Sequence, residues 1–256
     1  MKTMIDIHSH ILYGVDDGPK DVEEAISMLE QAVNEGISQI ISTSHSFHPQ
    51  YNVSSSVVTQ QVAHLQEQLN TRNISLQIHC GQEVRLVENI VALLEQGEIL
   101  TLANSDYLLL ELPSSTVPNY TKRVINQLQE QGITPIIAHP ERNKAIAEKP
   151  SRLEALLREG AVAQITAGSL AGHFGSSIQK ISLDLVKANL VHTYGSDAHN
   201  LTTRPFLFDE GLNVLEKKKQ LNAVDILLEN NARIIENKQM ILLEPEQITK
   251  KWWQLF

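Results

Sequence analysis

Stretches with helical and extended patterning alternate along almost the whole chain, and this alternation constrains the fold more than any other feature. Apolar, β-branched runs at residues 3–8, 37–45, 74–83, 107–113, 134–140, 161–168 and 190–199 read as seven strands. Between them lie stretches with apolar residues three and four apart. Residues 21–36 carry Val22, Ala25, Ile26, Leu29 and Val33 on one face, acidic residues in the first turn and Gly36 at the end. Residues 54–70, 86–96, 119–131, 151–159 and 176–188 have the same period, and Gly97, Gly132 and Gly160 stand where helix C-caps fall. Residues 209–239 add one or two further helices. Such alternation predicts a parallel sheet, open or closed, because a parallel strand must be reached by a crossover and a helix is the usual one.

The chain has 256 residues and no repeat, low-complexity segment or linker rich in Pro, Gly or Ser, so residues 1–256 are read as one domain with a C-terminal tail at 240–256. At 42% hydrophobic it can bury a large core. The 21 basic residues against 30 acidic ones leave a net charge of −9, which argues against a nucleic-acid partner, since phosphate tracking needs a basic footprint. One cysteine, Cys80, excludes an internal disulfide framework and a Cys-based zinc site. Asp6, His8 and His10 interrupt the N-terminus before a signal-peptide core could form, and runs such as Tyr107 to Leu112 are too short to span a membrane. A cytoplasmic protein is expected. The terminal KWWQLF is expected to pack on its own domain or on a neighbouring copy in a homo-oligomer.

The chemistry gathers at one sheet edge. His8 and His10 end the first strand, His45 the second, Glu83 the third, Glu111 the fourth, His139 the fifth, and Asp197 with His199 the seventh. In parallel α/β folds the C-terminal edge carries the active site, because its loops vary while the opposite edge maintains stability. One histidine at a strand end is commonly structural. Five histidines, two glutamates and an aspartate on the same edge are not, and carboxylates that close would repel one another unless cations neutralised them. His8 and His10, two apart on a strand, face the same side and can reach one ion. Asp17 lies in a turn, YGVDDGP, that an Asp-Gly pair would form in any case. The mixed O and N donors, without thiolate, suit Mn²⁺, Fe²⁺ or Zn²⁺, and nine ligands imply two or three ions.

Arg142 follows His139-Pro140-Glu141, and Arg204 follows His199. Guanidinium groups beside a metal cluster suit a phosphoryl oxygen, through paired donors and a permanent charge. Three divalent ions would also outweigh Asp17, Glu83, Glu111 and Asp197 by about two charges, enough to hold a dianionic phosphate. A cysteine-nucleophile phosphatase needs an arginine six positions after its cysteine, whereas Cys80 is followed there by Leu86. No GxxxxGK[ST] or GxSxG motif occurs, which leaves metal-activated water as the route to hydrolysis.

The motifs DIHSH, DDGP, TSH, GQEV, LEL, HPER and SDAH, in this order from Met4 to about Arg204, resemble the polymerase and histidinol phosphatase (PHP) superfamily. More narrowly they resemble the CpsB/CapC group, metal-dependent protein-tyrosine phosphatases of capsule and exopolysaccharide operons. The resemblance implies a distorted (β/α)₇ TIM-like barrel with additional C-terminal helices. It also implies three divalent ions, usually Mn²⁺, with Mg²⁺ a further candidate beside Fe²⁺ and Zn²⁺, and a substrate that is the phosphotyrosine tail of a partner tyrosine kinase. Carried over by motif, His8, His10, Glu83 and Asp197 hold one ion; Glu83, Glu111 and His139 a second; Asp17, His45 and His199 the third. Arg142 and Arg204 bind the phosphoryl group. Some relatives carry a second histidine after the one matching His45, where this chain has Ser46.

His48, His64, His79, His173 and His192 match no ligand position and are read as structural or surface residues. Phenolate, with a parent pKa of about 10, leaves more readily than an alkoxide, so no general acid is assigned. The alternatives are a small-molecule phosphatase of the same superfamily, such as a histidinol phosphatase, an amidohydrolase and a metal-dependent binding module. The amidohydrolase reading lacks the bridging lysine, since the fourth strand ends in Glu111.

Overall fold

The computed structural model describes residues 4–246. The aromatic end of the tail lies outside the described residues. The order is β1 (Met4–Ser9), α1 (Val22–Asn34), β2 (Ile37–Ser42), β3 (His45–Ser46), α2 (Ser55–Thr71), β4 (Gln77–Cys80), β5 (Glu83–Arg85), α3 (Ile90–Glu95), β6 (Tyr107–Glu111), α4 (Thr121–Glu130), β7 (Thr134–Ile137), α5 (Lys144–Glu148), α6 (Ser151–Leu157), β8 (Val162–Thr166), α7 (Ala167–Ala171), α8 (Ser176–Lys187), β9 (Thr193–Gly195), α9 (Phe208–Lys217) and α10 (Leu221–Ile235). Every strand pair is parallel.

The strands form two sheets, β1-β2-β4 and β3-β5-β6-β7-β8-β9. The second and third expected strands are therefore each broken in two. The first halves, β2 and β4, pair on the β1 side, and the second halves, β3 and β5, pair on the β6 side. The break follows from curling a sheet shut: Thr43 N donates to Ser9 O and Glu83 N to Thr43 O, so the ladder changes partner within a few residues. Gly81 sits at the second break, where a Cβ would come within 2.8 Å of Ile41.

The ring closes between its first and last strands. Ser9 bridges Ala198, His10 N donates to Ala198 O, and Asp197 N donates to His8 O. Below this, the Asp6 carboxylate takes bonds from the Ser196 amide (2.9 Å) and hydroxyl (2.5 Å). At the bottom, Asn231 of α10 donates to Ile5 O and Tyr194 O and accepts from Tyr194 N. The result is a distorted (β/α)₇ barrel with α9 and α10 packed at its end.

Two apolar layers hold it. The larger lies between strands and helices, with Leu108, Leu110, Ile137 and Ile165 meeting Leu29, Leu65 and Leu128. The smaller joins Ile7, Ile41, Leu109, Ile136 and Val162 from five strands inside the ring, together with Leu102 and Ile234. The helices fall where the apolar period places them; the short α5 and α7 are additions, each too brief to show a period.

Candidate metal centre

The nine candidate ligands converge at the C-terminal end of the ring. His8, His10, Glu83, Asp197 and His199 are essentially buried, while Asp17 keeps 37% of its side chain exposed. Two of them are turned inward by backbone that residues with a Cβ rarely adopt: His139 at φ 33° and Asp197 at φ 56°. Gly195 lets β9 approach β1, because a Cβ there would lie 2.7 Å from His8 Cβ.

The separations are those of a ligand shell. His8 Nε2 lies 3.6 Å from Glu83 Oε2 and 3.3 Å from Asp197 Oδ1; His10 Nε2 lies 3.4 and 3.5 Å from the same two atoms. His139 Nε2 is 2.7 Å from Glu83 Oε1, and His45 Nδ1 is 3.0 Å from Glu83 Oε2. Asp17 Oδ1 stands 3.6 Å from His45 Nε2 and 3.3 Å from His199 Nε2. Three imidazoles are oriented by their other nitrogen: His8 Nδ1 on Gln164 Oε1 (3.1 Å), His10 Nδ1 on Asp16 Oδ2 (3.1 Å) and His199 Nδ1 on the Asp197 carbonyl (2.9 Å). A ligating histidine is normally fixed in this way, because the outer bond sets its tautomer and ring direction.

The inner atoms have no such partner. His8 Nε2, His10 Nε2, His45 Nδ1, His199 Nε2 and Glu83 Oε2 are buried without a hydrogen bond of acceptable geometry. Leaving that many polar atoms unsatisfied would cost roughly 1–3 kcal/mol each, so the arrangement fits divalent cations among them. The electrostatics agree. Burial disfavours charge on His8 and His10, yet Glu83, Asp197 and, for His10, Asp16 outweigh it and raise both imidazoles. Against the same burial, His8, His139 and His45 hold Glu83 well below the carboxylate range, and Arg142, Arg204 and His8 do so for Asp197. Asp16 is lowered to about 2, His10 overcoming its burial. His199 runs the other way, burial and the neighbouring His10 pushing it down to about 4.

Four groupings bring ligand atoms within 4.8 Å of one another: His10, Asp17, His45 and His199; His8, His10 and Asp197; His8, Glu83 and His139; and His45, Glu83 and Glu111. Asp17, His45 and His199 stay together as expected, with His10 added. The expected set of Glu83, Glu111 and His139 is divided, Glu83 belonging to both parts.

Both arginines reach the same place. Arg204 Nη2 donates to Asp197 Oδ2 at 2.8 Å, Arg142 Nη2 donates to the same oxygen, and Arg204 Nε is buried without an acceptor. The Phe174 ring lies under the Arg142 guanidinium, 5.3 Å from its centroid, and His173 Nε2 donates to Thr203 O beside Arg204. With Glu111 and His139 the arginines border a cavity of about 350 Å³.

A profile of the family described as capsular polysaccharide synthesis, CpsB/CapC, matches residues 4–236. The chain belongs to the CpsB/CapC family. It is 41% identical over 248 residues to tyrosine-protein phosphatase YwqE of Bacillus subtilis (strain 168), covering 97% of each chain. It also superposes, with a TM-score of 0.94 and 40% identity, on a solved structure described under "YwqE from Bacillus subtilis and CpsB from Streptococcus pneumoniae, unique metal-dependent tyrosine phosphatases". That match covers 96% of this chain and 100% of the other. An organophosphorus hydrolase from Deinococcus radiodurans, 13% identical with a TM-score of 0.56 over 91% of this chain and 93% of its own, shares the fold alone.

Several residues of this CpsB/CapC site escape sequence reasoning. Gln164 comes from β8, the sixth expected strand, which ends in no candidate ligand, and serves both His8 and the His139 amide (3.2 Å). Asp16 also accepts from the His45 amide, and Arg85 pairs with Glu111 at 2.9 Å. Arg85 was detectable, because it lies two residues after Glu83 and so shares its strand face. Of the unassigned histidines, His64 bonds Tyr13, His79 bonds Gln39, His173 bonds Thr203 and His192 accepts from the Ala163 amide. His48 stacks on His45 with ring centroids 4.6 Å apart and borders the cavity.

Proposed function

We propose that the chain is a metal-dependent protein-tyrosine phosphatase whose substrate is the phosphorylated tail of a bacterial tyrosine kinase controlling capsule or exopolysaccharide synthesis. The observation that carries this is the meeting of unpartnered inner donors with two arginines in one cavity. The family and its named tyrosine phosphatases support the choice of substrate. His8, His10, Asp17, His45, Glu83, Glu111, His139, Asp197 and His199 would hold three divalent ions, Mn²⁺ first among them.

When bound, such ions supply Lewis-acid charge to a phosphoryl group and make water a stronger nucleophile at neutral pH. The chain's own residues do the rest. Gln164 and Asp16 keep the imidazoles in a single orientation, so the ligand shell is set before substrate arrives. Arg142 and Arg204 neutralise charge on the equatorial phosphoryl oxygens, and their planar donors fix the group for in-line displacement. Phe174 and His173 restrict where those guanidinium groups can point. Phenolate departs without a strong acid, which is consistent with the absence of an assigned proton donor.

The deciding experiment is phosphate release from a phosphotyrosine peptide by chelator-stripped protein, before and after Mn²⁺ is restored, with histidinol phosphate in parallel. Turnover of the peptide that appears only with metal supports the reading. Turnover of histidinol phosphate alone would replace it with the small-molecule one.

A further inference from the structure

The cavity beside the two arginines has one wall that the phosphoryl chemistry does not explain. His45, His48 and Tyr51 present three nearly parallel rings. His45 and Tyr51 are inclined by 8° at 5.9 Å, His45 and His48 by 22° at 4.6 Å, and His48 and Tyr51 by 17° at 5.6 Å. His48 and Tyr51 are only half-buried and both border the cavity.

The loop that carries them is held in one shape. Phe47 adopts φ 57° and its amide donates to Asn52 Oδ1 at 2.9 Å. Tyr51 N donates to His48 O and Val53 N to His45 O. The Gln82 side chain donates to Val53 O at 2.7 Å, which ties the loop to the break between β4 and β5. A non-glycine residue held at positive φ costs free energy, and such strain persists where it aims side chains. Here the positive φ falls at Phe47, directly before His48, in the loop whose His48 and Tyr51 border the cavity.

We infer that His48 and Tyr51 form a platform for the aromatic ring of the substrate, making this site selective for aryl over alkyl phosphoesters. This rests on the phosphatase reading given above. Arg142, Arg204, His48 and Tyr51 all border the one cavity, so a phosphoryl group held by the arginines would have its ester-linked ring within the same space as these two rings. Offset ring pairs contribute enough to shift affinity by roughly 2–10-fold beyond simple burial.

The test uses full-length, Mn²⁺-loaded protein and two non-hydrolysable probes, phenylphosphonate and methylphosphonate, with affinities measured by calorimetry. Wild type is expected to prefer the phenyl compound. Tyr51→Ala should weaken phenylphosphonate about 3–10-fold and leave methylphosphonate unchanged, while Tyr51→Phe, which keeps the ring, should behave as wild type. Unchanged methylphosphonate binding also shows that the variant has folded with its anion site intact. Retained phenyl preference in Tyr51→Ala, an equal loss for both probes, or loss of preference in Tyr51→Phe would overturn the platform. Failure of wild type to hydrolyse any phosphotyrosine peptide would instead overturn the functional reading, so the two failures are separable.

Discussion

The two ends of the barrel's interior are built from the same strands and obey opposite rules. On β6, Leu109 belongs to the inner apolar cluster and Glu111, two residues on and facing the same way, belongs to the ionic one. On β8 the corresponding pair is Val162 and Gln164. The lower layer buries apolar surface, which stabilises the fold wherever it occurs. The upper layer gathers charged and polar groups whose burial is unfavourable until cations join them. Stability and activity are thus stacked along single strands, about one pleat repeat apart.

The largest expected effect breaks the upper layer alone. His139→Ala should abolish metal-dependent phosphate release, while circular dichroism and urea unfolding of metal-free protein stay near wild type. The reciprocal change is Ile136→Ala, which should cost about 2–5 kcal/mol in urea unfolding, because a buried methylene cluster leaves a cavity. Its kcat/KM, measured under folding conditions, should remain within about twofold. Large activity loss from Ile136→Ala at full foldedness would show that the layers are not separable.

Arg204→Ala should lower kcat/KM by roughly 10–100-fold, the worth of a charge-assisted hydrogen bond, and Arg204→Lys should restore only part of it. Next comes a comparison between buried histidines. His8 and His10 are raised by carboxylates, whereas His192 has none nearby and burial pushes it down to about 4. Between about pH 6.5 and 4 the unfolded chain therefore binds a proton that the folded chain refuses, so stability falls as pH falls through this window. Metal-free wild type should lose about 2 kcal/mol from this group between pH 7 and pH 5, and His192→Gln should remove that share of the slope, leaving the share of His199, which burial also pushes down to about 4. The smallest effect is expected from Phe174→Ala, which should raise the inhibition constant of inorganic phosphate a few-fold by loosening Arg142.

Most of the barrel was legible because apolar period and helix stop signals are local, and α1, α2, α4 and α8 lie where these place them. The breaks in the second and third strands were not, since ring closure between residues far apart in sequence decides where the ladder changes partner. The convergence of the nine candidate ligands was visible because chemistry at strand ends has a position in the sequence. Their supports divide by the same logic: Arg85 is two residues from a ligand, whereas Gln164 reaches His8 across 156 residues of chain. The place of His48 at the cavity wall was not legible, because a histidine that stacks there carries no mark that separates it from His64 or His79.

The seam between β1 and β9 has a consequence for synthesis of the chain. His8 and His10 leave the ribosome well before Asp197 and His199, with which they share ligand groupings and which follow nearly 190 residues later. Until then the imidazoles lack the Asp197 carboxylate, and the Asp6 carboxylate lacks the Ser196 hydroxyl that it accepts from in the finished ring. The groupings of His8, Glu83 and His139 and of His45, Glu83 and Glu111 lie wholly before residue 140, whereas the two that include Asp197 or His199 are complete only once the seam has shut, so the binding energy of an ion held in those two would go to the closed barrel.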